Sequence, residues 1–214
     1  MSSREKILGK LRSGKRPFPH ITPPQEHQPV LPLADKSAGA LYGRFTTEAA
    51  KVDCTVHEAQ TNEAAISEIL QIVADDQTIS SWDLAHIPLP GLAAALDAAN
   101  IACVGQDASV RVGLTGVDAA LATTGSLVIL SGNGRPRAAS LLPLIHIAVV
   151  AASQILPDLE SWWAAQKAAG LEKTRQHSNI SVITGPSRTA DIAMQLVMGM
   201  HGPRELHLIL LPNQ

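Results

Sequence analysis

An α/β domain built on a largely parallel sheet is the fold this sequence predicts, and three observations predict it. Strand-like and helix-like stretches alternate from residue 41 onward at the spacing of βα units. The core must be made of Ala, Leu, Ile and Val, because aromatics are only 3% of the 214 residues. That composition suits helices packed on a sheet buried on both faces. Hydrophobic residues at 45% and charged residues at 17% are enough for one domain with a substantial core, or a domain plus an appendage.

Taken in order, Ser2 or Ser3 caps a short helix through Leu11, with Ile7, Leu8 and Leu11 on one face. Gly14 to Pro32 follows, with prolines at 17, 19, 23, 24, 29 and 32, and cannot be a regular element. Such an arm suits docking across a neighbouring subunit, as in a homo-oligomer, although a disordered tail has the same composition. Residues 1–33 are therefore expected as helix and arm, and residues 34–214 as the globular domain. Within that domain Leu41 to Val52 reads as a helix and Cys54 to Ala59 as a strand. Glu63 to Val73 is an amphipathic helix that turns Ile66, Ile69, Leu70 and Val73 inward. A strand at Gln77 to Ser81, a helix at Leu89 to Ala98 and a strand at Ile101 to Val104 come next. Apolar, β-branched strands are expected at Val110 to Leu114, Ser126 to Leu130, Ile145 to Val150, Ile180 to Thr184 and Leu206 to Leu211. A helix at Ser161 to Gly170 separates the third of these from the fourth.

Bulk properties exclude several function classes. A net charge of −2 offers no broad basic surface for nucleic acid, and few aromatics weaken a base-stacking role. No apolar run reaches the ~18 residues of a membrane span. The N-terminus lacks a hydrophobic signal core, so a cytoplasmic protein is expected. Cys54 and Cys103 sit in apolar strand-like segments without metal or redox neighbours, and read as buried free thiols. No metal site is visible, and neither a dinucleotide fingerprint nor a phosphate-binding P-loop is present.

Three stretches carry candidate chemistry, all in loops at strand ends, where open α/β sheets bind ligands. Thr124-Gly125-Ser126, preceded by Thr123, could hold an anion or carbonyl, but turn residues of this kind are more often simply satisfied locally. Arg135 and Arg137, on a glycine-rich loop, could clamp a phosphate or carboxylate. His146, beyond Pro143 in an apolar run, needs a polar neighbour before it can serve as an acid or base. The third stretch runs from Gly185 to Pro203. A strand leads through Gly185-Pro186-Ser187 into an expected helix capped by Ser187 or Thr189, with Ile192, Met194, Leu196 and Val197 as its apolar positions and Gly199 as its end. The start of that helix would be an anion-binding corner, or an ordinary capped connection with no ligand. Asp191 in its first turn and His201 past its end would lie roughly 15 Å apart, too far for one catalytic pair.

At these residues the chain resembles the LUD-domain family, of the lactate-utilisation protein C (LutC/YkgG-like) type. The resemblance covers about Val110 to Pro212. It rests on Gly113-Leu114-Thr115, Thr124-Gly125-Ser126-Leu127-Val128, Ser140-Leu141-Leu142-Pro143 with His146, Gly185-Pro186-Ser187-Arg188-Thr189-Ala190-Asp191-Ile192, and His201-Gly202-Pro203. It implies a three-layer α/β/α sandwich around a central, mostly parallel sheet, like the NagB, RpiA and CoA-transferase folds. It also implies a non-redox subunit of an L-lactate to pyruvate oxidation system. Iron–sulfur clusters would then belong to partner subunits, with no cofactor in this chain and a small anionic ligand at its strand-end loops. The alternative is an independent CoA-transferase or isomerase-like enzyme acting on a phosphorylated or CoA-linked metabolite. Relatives often carry an acidic residue where this chain has Thr123, and a related glutamate is the acyl-accepting nucleophile of CoA transferases. A threonine there cannot form an acyl–carboxylate anhydride.

Overall fold

The computed structural model describes residues 2–14, 31–105, 107, 109–190 and 196–212. Ser2 starts the first helix, α1 (Ser3–Ser13), with a reciprocal cap. Its hydroxyl accepts the Glu5 N–H, and the Glu5 carboxylate accepts the Ser2 N–H. None of its residues is buried, and Ile7 and Leu11 of the expected apolar face are exposed. Most of the proline-rich stretch lies outside the described residues.

The body opens with α2 (Ala38–Lys51), capped by Ser37, which buries Leu41, Phe45 and Ala49 at successive i+4 positions. Strand β1 (Thr55–Glu58) leads to α3 (Asn62–Val73), capped by Thr61, whose inner stripe is Ala65, Ile69 and Val73. Ile66 and Leu70 pack on the core from its flank. Then come β2 (Thr78–Ser81), α4 (Leu92–Ala98), β3 (Ala102–Val104) and β4 (Val112–Thr115). The next elements are β5 (Ala119–Leu121), β6 (Ser126–Ser131), the one-turn α5 (Ala138–Leu141), β7 (Ile145–Ala151) and the two-residue β8 (Ile155–Leu156). Helices α6 (Leu159–Ala168) and α7 (Glu172–Gln176) precede β9 (Asn179–Ile183), β10 (Arg188–Ala190), β11 (Leu196–Met198) and β12 (Glu205–Leu211).

Six strands form the central sheet in the order β1-β12-β7-β4-β2-β3, and every neighbouring pair is parallel. Helices flank this sheet, which bears out the α/β expectation, and its middle strands are buried along nearly their whole length. A second sheet, β8-β5-β6-β9, is mixed, with β5, β6 and β9 antiparallel to their neighbours in turn. Its β5–β6 hairpin is fixed from one side by Asp118. That carboxylate accepts the Leu130 N–H at 2.8 Å and ion-pairs Arg135 and Lys173 at 3.0 and 2.7 Å.

Two sequence expectations need correction. The segment after Ser187 is not a helix where it is described. Arg188–Ala190 and Leu196–Met198 pair as an antiparallel hairpin in the register Arg188↔Met198. The Ser187 carbonyl accepts the Gly199 N–H at 2.9 Å and closes it. Cross-strand pairing here overrides the helical spacing of the apolar residues. Asp191, Ile192 and Met194 lie outside the described residues. Cys103 is exposed rather than buried, because β3 is an edge strand with one sheet neighbour. Cys54 is buried, and burial pushes its thiol up to about 11.

Two turns press closely on the end of α2. Gly125 has φ +66° and Gly185 φ +78°. A Cβ added at Gly125 would lie 2.4 Å from the Ala49 nitrogen, and one at Gly185 would lie 2.2 Å from the Val52 carbonyl oxygen. Gly125→Ala is therefore expected to lower stability by roughly 2–4 kcal/mol, through backbone strain and overpacking together. Urea denaturation of the variant against the parent checks this; a midpoint unchanged within error would show that α2 can move aside.

Candidate functional site

Two motif blocks that are distant in sequence meet over the amino ends of β7 and β12. Ser140 and Leu141 lead into β7, Gly202 and Pro203 lead into β12, and the Gly185-Pro186-Ser187-Arg188 turn closes the third side. Together with His146 and His201 they line a cavity of about 290 Å³. The turn is held in place by its backbone. The Ser187 N–H donates to the Pro203 carbonyl at 2.8 Å, and the His201 N–H donates to the Ser187 hydroxyl at 3.4 Å. Ser140 is buried and donates its hydroxyl to the Arg137 carbonyl at 3.0 Å.

His146 is the chemical centre of this cavity. It is fully buried on the second residue of β7, in register with Gly113 of β4 and Leu206 of β12. Burial pushes its pKa down to about 3, so the ring is neutral at physiological pH. Nε2 lies 2.9 Å from the hydroxyl of buried Thr115 on β4. The two groups share one hydrogen bond whose donor is set by the tautomer of the ring. Nδ1 is buried and has no partner. An unmet buried polar atom costs about 1–3 kcal/mol, and this one belongs to a residue that lines a cavity. The sequence required a polar neighbour for His146, and Thr115 is that neighbour.

The other predicted residues are distributed unevenly. Gly185, Ser187 and His201 join His146 in the cavity. Thr189 lies on β10 just beyond it. Thr124 and Ser126 take a structural role: Thr124 Oγ1 is 2.8 Å from Ser126 Oγ, which is 2.7 Å from Thr184 Oγ1, so a hydroxyl chain ties β6 to the end of β9. Gly125 between them is pressed against α2. Thr123 is buried, with its N–H donating to the Pro157 carbonyl. Arg188–Ala190 form a strand, so neither Ser187 nor Thr189 starts a helix, and the Ser187 N–H of the expected anion corner is already bonded to Pro203. Arg135 and Arg137 line a different, larger cavity of about 550 Å³. Arg135 is committed to Asp118 and stacks over Trp82, its guanidinium carbon 4.8 Å from the ring centre.

Three cavity or support residues escaped the sequence reading. Ser140 and Arg188 belong to the 140–143 and 185–192 stretches, yet only the fold places them on the cavity wall. Arg188 also ion-pairs Asp53, beside α2. Thr115 lies in the Gly113-Leu114-Thr115 block, but as a lone hydroxyl in an apolar strand it carries no chemical signal of its own. A second histidine pair is a clamp between strands. His57 on β1 sits 3.0 Å from His207 on β12, and Glu68 and Glu205 hold the outer ring nitrogens at 3.1 and 3.3 Å.

A family model described as the LUD domain matches residues 42–211. A "Lactate utilization protein C" of Halalkalibacterium halodurans is 41% identical over 92 residues, 43% of this chain and 40% of that protein. One of Geobacillus sp. is 39% identical over 109 residues, 49% of this chain and 43% of that protein. The match thus spans less than half the length of each. The crystal structure of a DUF162 family protein from Deinococcus radiodurans superposes with a TM-score of 0.60 at 22% identity, covering 84% of this chain and 99% of that one, a likeness of fold.

The buried ring predicts a pH dependence. The unfolded imidazole takes up a proton near pH 6.5 and the folded one only near 3. Between those values the unfolded state binds more protons, so stability falls as pH falls. The loss is on the order of 3 kcal/mol between pH 7 and pH 4. Urea denaturation across that range should show this slope in the parent and a shallower one in His146→Gln. Equal slopes would mean that the ring is protonated in the fold.

Proposed function

The chain belongs to the LUD domain family, and on that footing we propose that it serves L-lactate utilisation as a subunit with no redox centre of its own, alongside separate iron–sulfur proteins. The observation that carries this reading is the pairing of the family match with relatives named for lactate utilisation. The cysteine content agrees with it. Two cysteines are fewer than the thiolate set that usually holds an iron–sulfur cluster.

The ligand in this reading is a small carboxylate in the His146 cavity. With its ring proton on Nδ1, neutral His146 would donate to one carboxylate oxygen, and the Ser187 hydroxyl would offer a second donor. The Arg188 guanidinium supplies positive charge at the rim, shared with exposed Asp53. A cavity of about 290 Å³ accepts a three-carbon acid with accompanying water. A neutral donor on a buried ring binds without carrying charge into the core, which suits recognition better than proton transfer.

The test is mild affinity purification of the chain from cells growing on L-lactate, with a visible spectrum of the eluate. Cysteine-rich partners and the broad brown absorption of iron–sulfur clusters are expected. A colourless chain that elutes alone under stabilising conditions, or a pure chain that oxidises lactate with a dye acceptor, would overturn the assignment.

A further inference from the structure

Among the described residues three buried side-chain polar atoms lack a hydrogen-bond partner: Trp82 Nε1, His146 Nδ1 and Ser131 Oγ. Native folds rarely leave such atoms without a reason. His146 belongs to the cavity already described, and Ser131 lines the larger one, of about 550 Å³. We propose that this second cavity binds the phosphate group of a small phosphorylated polyol, with Arg137 and Ser131 as its phosphate ligands.

The cavity lies between the carboxyl end of β6, where Ser131 sits opposite Asn179 of β9, and the 132–137 loop. That loop is folded over the carboxyl end of β2. The Asp83 N–H donates to the Gly134 carbonyl at 2.7 Å, and Arg135 covers the Trp82 ring. The site therefore stands beside the carboxyl end of a parallel strand, the side on which open α/β sheets hold ligands.

Charge and lining select the ligand class. Arg135 and Lys173 both bond the single carboxylate of Asp118, leaving one positive charge in excess. Arg137 adds another; its side chain has no ion pair or hydrogen bond among the described residues. The Asp83 carboxylate accepts the Ala85 N–H and is not among the lining residues of the cavity. Two surplus positive charges match a phosphate dianion better than a carboxylate, and a guanidinium fork fits its oxygens. Ser131 Oγ, 97% of its residue removed from solvent, supplies an unused hydroxyl at the wall. The volume exceeds that of a phosphate alone. Most of the remaining wall is made of Asn133, Gln176, Ser178 and Asn179, with Pro136 the apolar exception, so the body of the ligand is polar.

The experiment is calorimetric titration of the full chain with inorganic phosphate, glycerol 3-phosphate and ribose 5-phosphate, with D-glycerate as the carboxylate control. Saturable binding of at least one phosphorylated polyol is expected, tighter than glycerate by ten-fold or more. Arg137→Gln, at an exposed position, should weaken it at least ten-fold and Ser131→Ala several-fold, both with unchanged thermal melting. His146→Gln should leave it within two-fold, because that residue lines the other cavity. No saturable binding of any phosphate probe overturns the proposal. So does glycerate binding as tightly as glycerol 3-phosphate, or an Arg137→Gln variant that binds like the parent.

Discussion

The close contact between the end of α2 and two glycine turns is the constraint on which the cavity wall depends. The backbone at Ala49 and Val52 lies so close to the Gly125 and Gly185 turns that no side chain fits at either. Both glycines also need a positive φ there, which costs them little and would strain other residues. From this contact the rest follows in order. The Gly125 turn brings Thr124 and Ser126 to Thr184, and the hydroxyl chain joins the second sheet to the strand that precedes Gly185. The Gly185 turn then delivers Ser187 and Arg188 to the wall of the His146 cavity. A helix at the start of the domain thus positions a loop more than 130 residues later.

Packing and polarity are separated in this molecule. The central sheet is closed by aliphatic side chains, with Trp82 and Phe45 the largest of its fully buried groups. Buried polar residues are few and are tied to one another or to backbone, as Thr115 is to His146 and Ser126 to Thr184. Where such a group is left without a partner beside open volume, the imbalance marks a place where a ligand can complete it. His146 and Ser131 are on opposite sides of the Ser131–His146 connection, so one stretch of chain contributes to both cavities. Arg137 illustrates how closely they adjoin: its side chain lines one, while its carbonyl holds Ser140 of the other.

Local signals were strong enough to read much of this from the sequence. Ser2 marks the first helix start because side-chain capping depends on neighbours within three residues, and the inward stripe of Glu63 to Val73 marks α3. Val112 to Thr115, Ile145 to Ala151 and Glu205 to Leu211 are apolar or β-branched for most of their length, as strands buried on both faces must be. Short elements such as β8 leave no periodicity to detect. The residues after Ser187 have helical spacing, and only the pairing of Arg188–Ala190 with Leu196–Met198 makes them a hairpin. At the cavity, His146, Gly185, Ser187 and His201 were visible as residue types, whereas Thr115 and Arg188 acquire their positions from strand order. Arg135 illustrates the limit from the other side. Its sequence neighbourhood suggests a ligand clamp, but Asp118, 17 residues earlier, already holds it.

The strand order sets a schedule for synthesis. β1 has β12 as its sheet neighbour, paired from Thr55↔His207 to Glu58↔Leu210 and clipped by the His57–His207 contact. A ribosome that has just released β1 must therefore translate about 150 further residues before its partner exists. In the meantime β1 and one edge of β7 offer unpaired backbone to any other nascent chain. Sheet closure is a late, long-range event, which favours slow folding and makes the newborn polypeptide a natural client for chaperones.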